Sequence, residues 1–101
     1  MTFKVAFMFV APETDRTTAK TKIVTPIAEV TTIGVQNYDE AEEEALKLVA
    51  GGVTAIELCA GFGHEGTARI AKAVKGMALV GVVRFDLHPA FEHQSGDALF
   101  S

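Results

Sequence analysis

Glu57 stands between Ile56 and Leu58 in the apolar run VTAIELCA, residues 53–60. A carboxylate inside a strand is costly unless it is paired or faces a cleft. Period-two alternation puts Ala55, Glu57 and Cys59 on one side of that strand. Arg84, from the run MALVGVVRF at 77–85, could be its ion-pair partner. Alternatively, Glu57 lines a pocket and acts as a general base. Arg84, Asp86 and His88 alternate in RFDLHP, so a strand continuing that far would point all three the same way. Arginine would then fix an anion, and Asp86 with His88 would form an acid/base pair. His88-Pro89 also reads simply as a turn. Glu57, His64, Asp86 and His88 are metal-ligand types, but no ligand spacing supports a metal site, and no cofactor is called for. Cys59 is either a thiol activated beside a helix N-terminus or a small core residue.

The second feature is CAGFGHEG, residues 59–66, in which Gly61, Gly63 and Gly66 spell G-x-G-x-x-G. A strand precedes it and a helix follows. Asp86 lies 20 residues beyond Gly66. In a dinucleotide unit the glycines admit a pyrophosphate, the helix N-terminus binds its charge and the acid takes a ribose hydroxyl. Glu65 opposes this, because it would repel a phosphate at the helix start. The other reading is a glycine-rich turn between strand and helix. Gly61, Gly63, His64, Gly66 and Arg84 are the candidate ligand-binding residues.

These groups need elements to position them. KVAFMFVA at 4–11 is nearly all apolar, as in a parallel strand buried on both faces, and Pro12 ends it. The Thr-rich stretch PETDRTTAKTKIVTP leaves a short helix after Asp15 open. EVTTIGV at 29–35 fits a half-exposed edge strand, with Val30, Thr32 and Gly34 on one face. NYDEAEEEALKLVAGG is a helix. Asp39 and Glu42 form a capping-box pattern, Ala41, Ala45, Leu48 and Val49 share a face, and Gly51-Gly52 end it in a left-handed cap. TARIAKAVK is a second helix, with Ala68, Ala71 and Val74 on its face and Gly76 as its stop. Phe91, Leu99 and Phe100 in the tail fold back on the body or on a neighbour.

Alternating strands and helices predict one α/β domain over residues 1–101. It has a four-stranded, mainly parallel sheet with two or three helices, Rossmann-like or like a barrel fragment. Ligands in such sheets bind at the carboxyl ends of the strands. The 101 residues are 49% hydrophobic and 22% charged, which is a globular composition. So apolar a chain of this size predicts a homo-oligomer. The last strand, apolar on both faces, is expected under the tail or a second subunit. A net charge of -4 with scattered lysines predicts no nucleic-acid partner. The absence of a long apolar run or cleavage signal predicts no membrane partner and a cytoplasmic location. One cysteine excludes an internal disulfide.

IELCAGFGHEG followed by VGVVRFDLHP resembles a family of roughly 100-residue microbial proteins known only as a domain of unknown function. The resemblance covers nearly the whole chain and implies no activity. The segment ALKLVAGGVTAIELCAGFGHEGTARIAKAV is similar to a helix-strand-helix piece of keto-deoxy-phosphogluconate aldolases. In those (β/α)8 barrels a strand reading G-V-x-x-x-E supplies a catalytic glutamate, which falls on Glu57 here. That similarity implies barrel-like βα packing in a chain too short to close eight units. Two functions are therefore expected to compete. One is binding of a small anionic metabolite near the 61–66 turn. The other is lyase- or isomerase-type chemistry using Glu57 with Asp86 or His88.

Overall fold

A computed structural model describes residues 2–101. Strands β1 (Phe3–Val10), β2 (Lys20–Val24), β3 (Ala28–Val35), β4 (Ala55–Leu58) and β5 (Leu79–Val82) form one sheet in the order β2-β3-β1-β4-β5. Every neighbouring pair is parallel except β2 with β3. Helices α1 (Tyr38–Ala50) and α2 (His64–Ala73) follow β3 and β4, and a short α3 (Gly96–Phe100) closes the chain. The α/β class and the mainly parallel sheet stand as expected, with five strands in place of four.

The added strand is β2, within the Thr-rich stretch. No helix forms after Asp15. Its carboxylate accepts from the Thr17 N–H (2.9 Å) and hydroxyl (2.6 Å), which fixes a turn instead. A second turn at Thr25-Pro26 is closed by Thr25 N–H donating to the Ala28 carbonyl (2.8 Å), and it folds β2 back along β3. β2 takes the edge, where lysines and threonines discourage pairing with another chain. β3 is thereby an interior strand and not the expected edge; Thr31, Ile33 and Val35 on its helix-covered side are buried, while Val30 and Thr32 on the other are half-buried. The third helix is in the tail.

Asn37 caps α1, accepting from Glu40 N–H at 2.9 Å, two residues before the expected Asp39. Asp39 and Glu42 instead hold Arg69 of α2, at 2.5 and 3.0 Å. At the other end Gly52 carries the left-handed turn, with φ +101°. The buried side of α2 is Gly66, Ile70 and Val74, while Ala68 and Ala71 face solvent. Ile70 offers the larger apolar surface, so the helix turns that side inward.

The helices cover one face of the sheet only. Ala6, Met8 and Val10 of β1 join Ile33, Val35, Ile56 and Leu58 in a core with Tyr38, Ala45, Leu48, Ile70 and Val74. Among the described residues the other face has no helical layer. There β1 presents Phe3 and Phe7, 51% and 42% exposed, where burial on both sides was expected. Leu79 (82%) and Val83 (60%) at the β5 edge and Ile23 (60%) on β2 are bare on the same side. The tail does not reach them. It folds over α2, with Phe100 buried against Tyr38 and Phe91 while Leu99 stays exposed.

Candidate functional site

Three groupings collect the candidate residues. The first is the glycine turn. Phe62 is buried and stacks on Tyr38, with ring centroids 5.5 Å apart and planes 14° apart. A Cβ on Gly66 would sit 2.4 Å from the Tyr38 ring, and one on Gly63 would sit 2.4 Å from the Asp97 and Ser95 side chains. Both glycines therefore serve close packing. The α2 N-terminus, where an anion would bind, already holds one from the chain itself. The Asp97 carboxylate accepts from the N–H groups of Glu65 (2.9 Å) and Gly66 (3.1 Å) and from the Tyr38 hydroxyl (2.8 Å). The same hydroxyl accepts from Gly63 N–H at 3.0 Å. Burial pushes the Asp97 carboxyl upward, but these hydrogen bonds outweigh it and hold the group below the usual carboxylate range. Burial also pushes the Tyr38 phenol upward, and there it prevails, leaving the group well above its ordinary value.

The second grouping is Arg84, His64 and Asp86, all exposed. Arg84 Nη2 lies 2.6 Å from His64 Nε2 and 2.6 Å from Asp86 Oδ1, and His64 Nε2 lies 3.4 Å from Asp86. Arg84 holds the Asp86 carboxyl below its ordinary value. His88 is not part of this group. Its Nδ1 accepts from Ala90 N–H (3.1 Å), its ring stacks on Phe91 with centroids 4.0 Å apart, and it caps the 3₁₀ turn at Pro89–Phe91. β5 ends at Val82, so the alternation that would align Arg84, Asp86 and His88 does not continue.

The third grouping is on the bare face of the sheet. Phe7, Phe9, Thr32, Glu57, Cys59 and Val83 line a shallow cavity of about 220 Å³. Phe7 is the register partner of Glu57 on one side and of Thr32 on the other. Glu57 is exposed there. Among the described residues it makes no hydrogen bond or ion pair, because Arg84 turns to His64 and Asp86. Glu57 is thus brought together with Cys59, but not with Arg84, Asp86 or His88.

Several participants were missed in the sequence. The alternation of Phe7 and Phe9 in KVAFMFVA carried the signal for the cavity wall. Asp97 had only Ser95 two residues earlier to mark it. Four lysines scattered along the chain, Lys4, Lys20, Lys22 and Lys47, gather around a further cavity of about 170 Å³ between β2 and α1. Three are already engaged: Lys22 with Glu29 (2.7 Å), Lys47 with Glu44 (3.1 Å) and Lys4 with the Gly51 carbonyl (3.1 Å).

A family model described as a family of unknown function (DUF6506) matches residues 3–98. The chain belongs to this family. No curated protein and no solved structure matches it. The two stretches that mark the family resemblance hold most of β4 with the glycine turn and His64, and most of β5 with Arg84 and Asp86. Among the described residues no helix is long and apolar enough to cross a membrane.

Proposed function

We propose that this DUF6506 protein is a homodimer that joins the bare faces of two sheets and holds a small ligand around Glu57. The observation that carries this reading is the unpaired Glu57 carboxylate in an apolar cavity on a sheet face without a helical layer. Parallel sheets are stable when both faces are covered, and sheets pack face to face about 10 Å apart. The five large side chains Phe3, Phe7, Ile23, Leu79 and Val83 expose roughly 500 Å², taking about 150–200 Å² for each when fully exposed. That is most of the roughly 800 Å² per partner that a stable interface buries, before backbone and threonines are added. The same face on both copies gives closed, two-fold pairing.

The test is sedimentation of the wild type beside Phe7→Glu and Leu79→Glu. The wild type is expected to be dimeric and both variants monomeric and folded. Leu79 is largely in solvent, so its replacement does not threaten the fold. A wild-type monomer, or variants that remain dimeric, would refute the interface.

An enzymatic version of this reading uses Glu57 as the acid/base, in keeping with the aldolase likeness of its strand. Asp86 and His88 have other partners in the chain and do not accompany it. A second reading, an anionic metabolite on Arg84 and His64 beside the 61–66 turn, is favoured by one observation. Their counter-ion Asp86 is itself exposed, and exposed pairs are weak enough for a ligand carboxylate or phosphate to displace it. An Arg84→Ala variant that keeps phosphate affinity would eliminate it.

A further inference from the structure

We infer that the cavity around Glu57 accepts an organic cation: a compact apolar body bearing a protonated amine. The inference rests on the proposed dimer and concerns the charge inside it. Alternate positions on the five strands point to the bare face, and the strand registers show which residues share it. Along those positions the chain places threonine, glycine, alanine, valine, isoleucine, leucine and phenylalanine. Beside Cys59, at the end of β4, Glu57 is the one residue of that face that carries a charge at neutral pH. The lysines of β1 and β2 fall on the opposite side, where Lys4 and Lys22 face Glu29.

Two-fold packing has a definite consequence. The second copy brings an identical face, so it supplies a second carboxylate and no lysine or arginine from its strands. Covering the face removes Glu57 from water, and a buried carboxylate without a counter-charge is strongly disfavoured. If the pair stays ionised, its counter-charge has to come from outside the chain.

The wall chemistry narrows the choice. A divalent metal asks for four or more oxygen, nitrogen or sulfur ligands. Two copies together bring two Glu57 carboxylates and two Cys59 thiols, but the wall between these donors is mainly phenylalanine rings and valine. Aromatic faces also attract an organic cation, and the apolar wall accommodates its hydrocarbon part. A cavity of about 220 Å³ has room for a ligand of about one aromatic ring.

The experiment titrates the intact chain with benzylamine, benzyl alcohol and benzoate, followed by NMR shifts, with sedimentation on the same samples. Benzylamine is expected to bind about tenfold or more tightly than either analogue. Glu57→Gln should erase that preference while the protein stays dimeric. A wild-type monomer would fail the dimer reading itself. A wild-type dimer that binds no probe, or binds benzoate as well as benzylamine, would overturn the inference alone. So would retention of the amine preference in Glu57→Gln. Stabilisation by Zn²⁺ or Mg²⁺ without any amine effect would reassign the paired carboxylates to a metal. Dimerisation that tightens on acidification, with no amine effect, would mean that protons neutralise them.

Discussion

Replacing Asp97 tests whether the glycine turn depends on an anion supplied by the chain itself. In Asp97→Ala the α2 N-terminus loses the acceptor for the Glu65 and Gly66 N–H groups, and the buried Tyr38 hydroxyl loses its carboxylate. Loss of a helix cap costs about 0.5–2 kcal/mol, and a buried donor left without a partner costs about 1–3 kcal/mol. Glu65 N–H is exposed and recovers water, so the total falls near 3 kcal/mol rather than at the sum of the upper limits. For a domain of about 100 residues that corresponds to a Tm lowered by roughly 10–20 °C. Asp97→Asn keeps one acceptor oxygen but not the charge, and should lose about half as much. Thermal unfolding followed by circular dichroism measures both. The variant also vacates an anion site, so tens of millimolar phosphate should raise the Tm of Asp97→Ala more than that of the wild type. An Asp97→Ala protein within about 2 °C of wild type would show that the carboxylate does not hold the turn.

Two further outcomes follow from the same contacts. A Cβ at Gly96 would lie 1.7 Å from the Gly61 carbonyl oxygen, so Gly96→Ala must lift α3 and carry Asp97 off the α2 amides. Its Tm should fall at least as far as that of Asp97→Ala, and wild-type unfolding would contradict the packing. Acid provides the other. Asp97 has a lowered folded pKa, so the stability it adds is present above its ordinary value of 3.8 and is lost as pH falls through the lowered folded value. The gap between wild type and Asp97→Asn, measured by urea unfolding, should therefore narrow below about pH 4. A gap independent of pH across that window would place the difference elsewhere.

The βα alternation was legible because α1 and α2 announced themselves by period and stop signals, as at Gly51-Gly52, and because β1, β4 and β5 are rich in apolar residues; α3, in the tail, was not. β2 was not. Lys20-Thr21-Lys22 has neither apolar alternation nor length, and it becomes a strand because the turn at Thr25-Pro26 lays it along an edge already made by β3. The choice of face on α2 failed for a related reason. Small alanines lie on one side and a single isoleucine on another, and only the sheet beneath decides which is buried.

The candidate site divides along the same line. That Glu57 needs an explanation could be read from its strand neighbours, since a charge between Ile56 and Leu58 is conspicuous under any fold. Its surroundings could not be read, because Phe7 and Val83 reach it through the registers of β1 with β4 and of β4 with β5. The glycine turn runs the opposite way. Its pattern was easy to see, but the pattern states only that side chains are excluded at three positions, not what excludes them. Here Tyr38 comes from 28 residues before Gly66, and Asp97 from 31 residues after it. A fingerprint built on glycine is equally well satisfied by a phosphate and by a carboxylate and phenol of the same chain, because both need close approach and free N–H groups. What separates them is a distant acid able to reach the helix end, and in this chain that acid is Asp97.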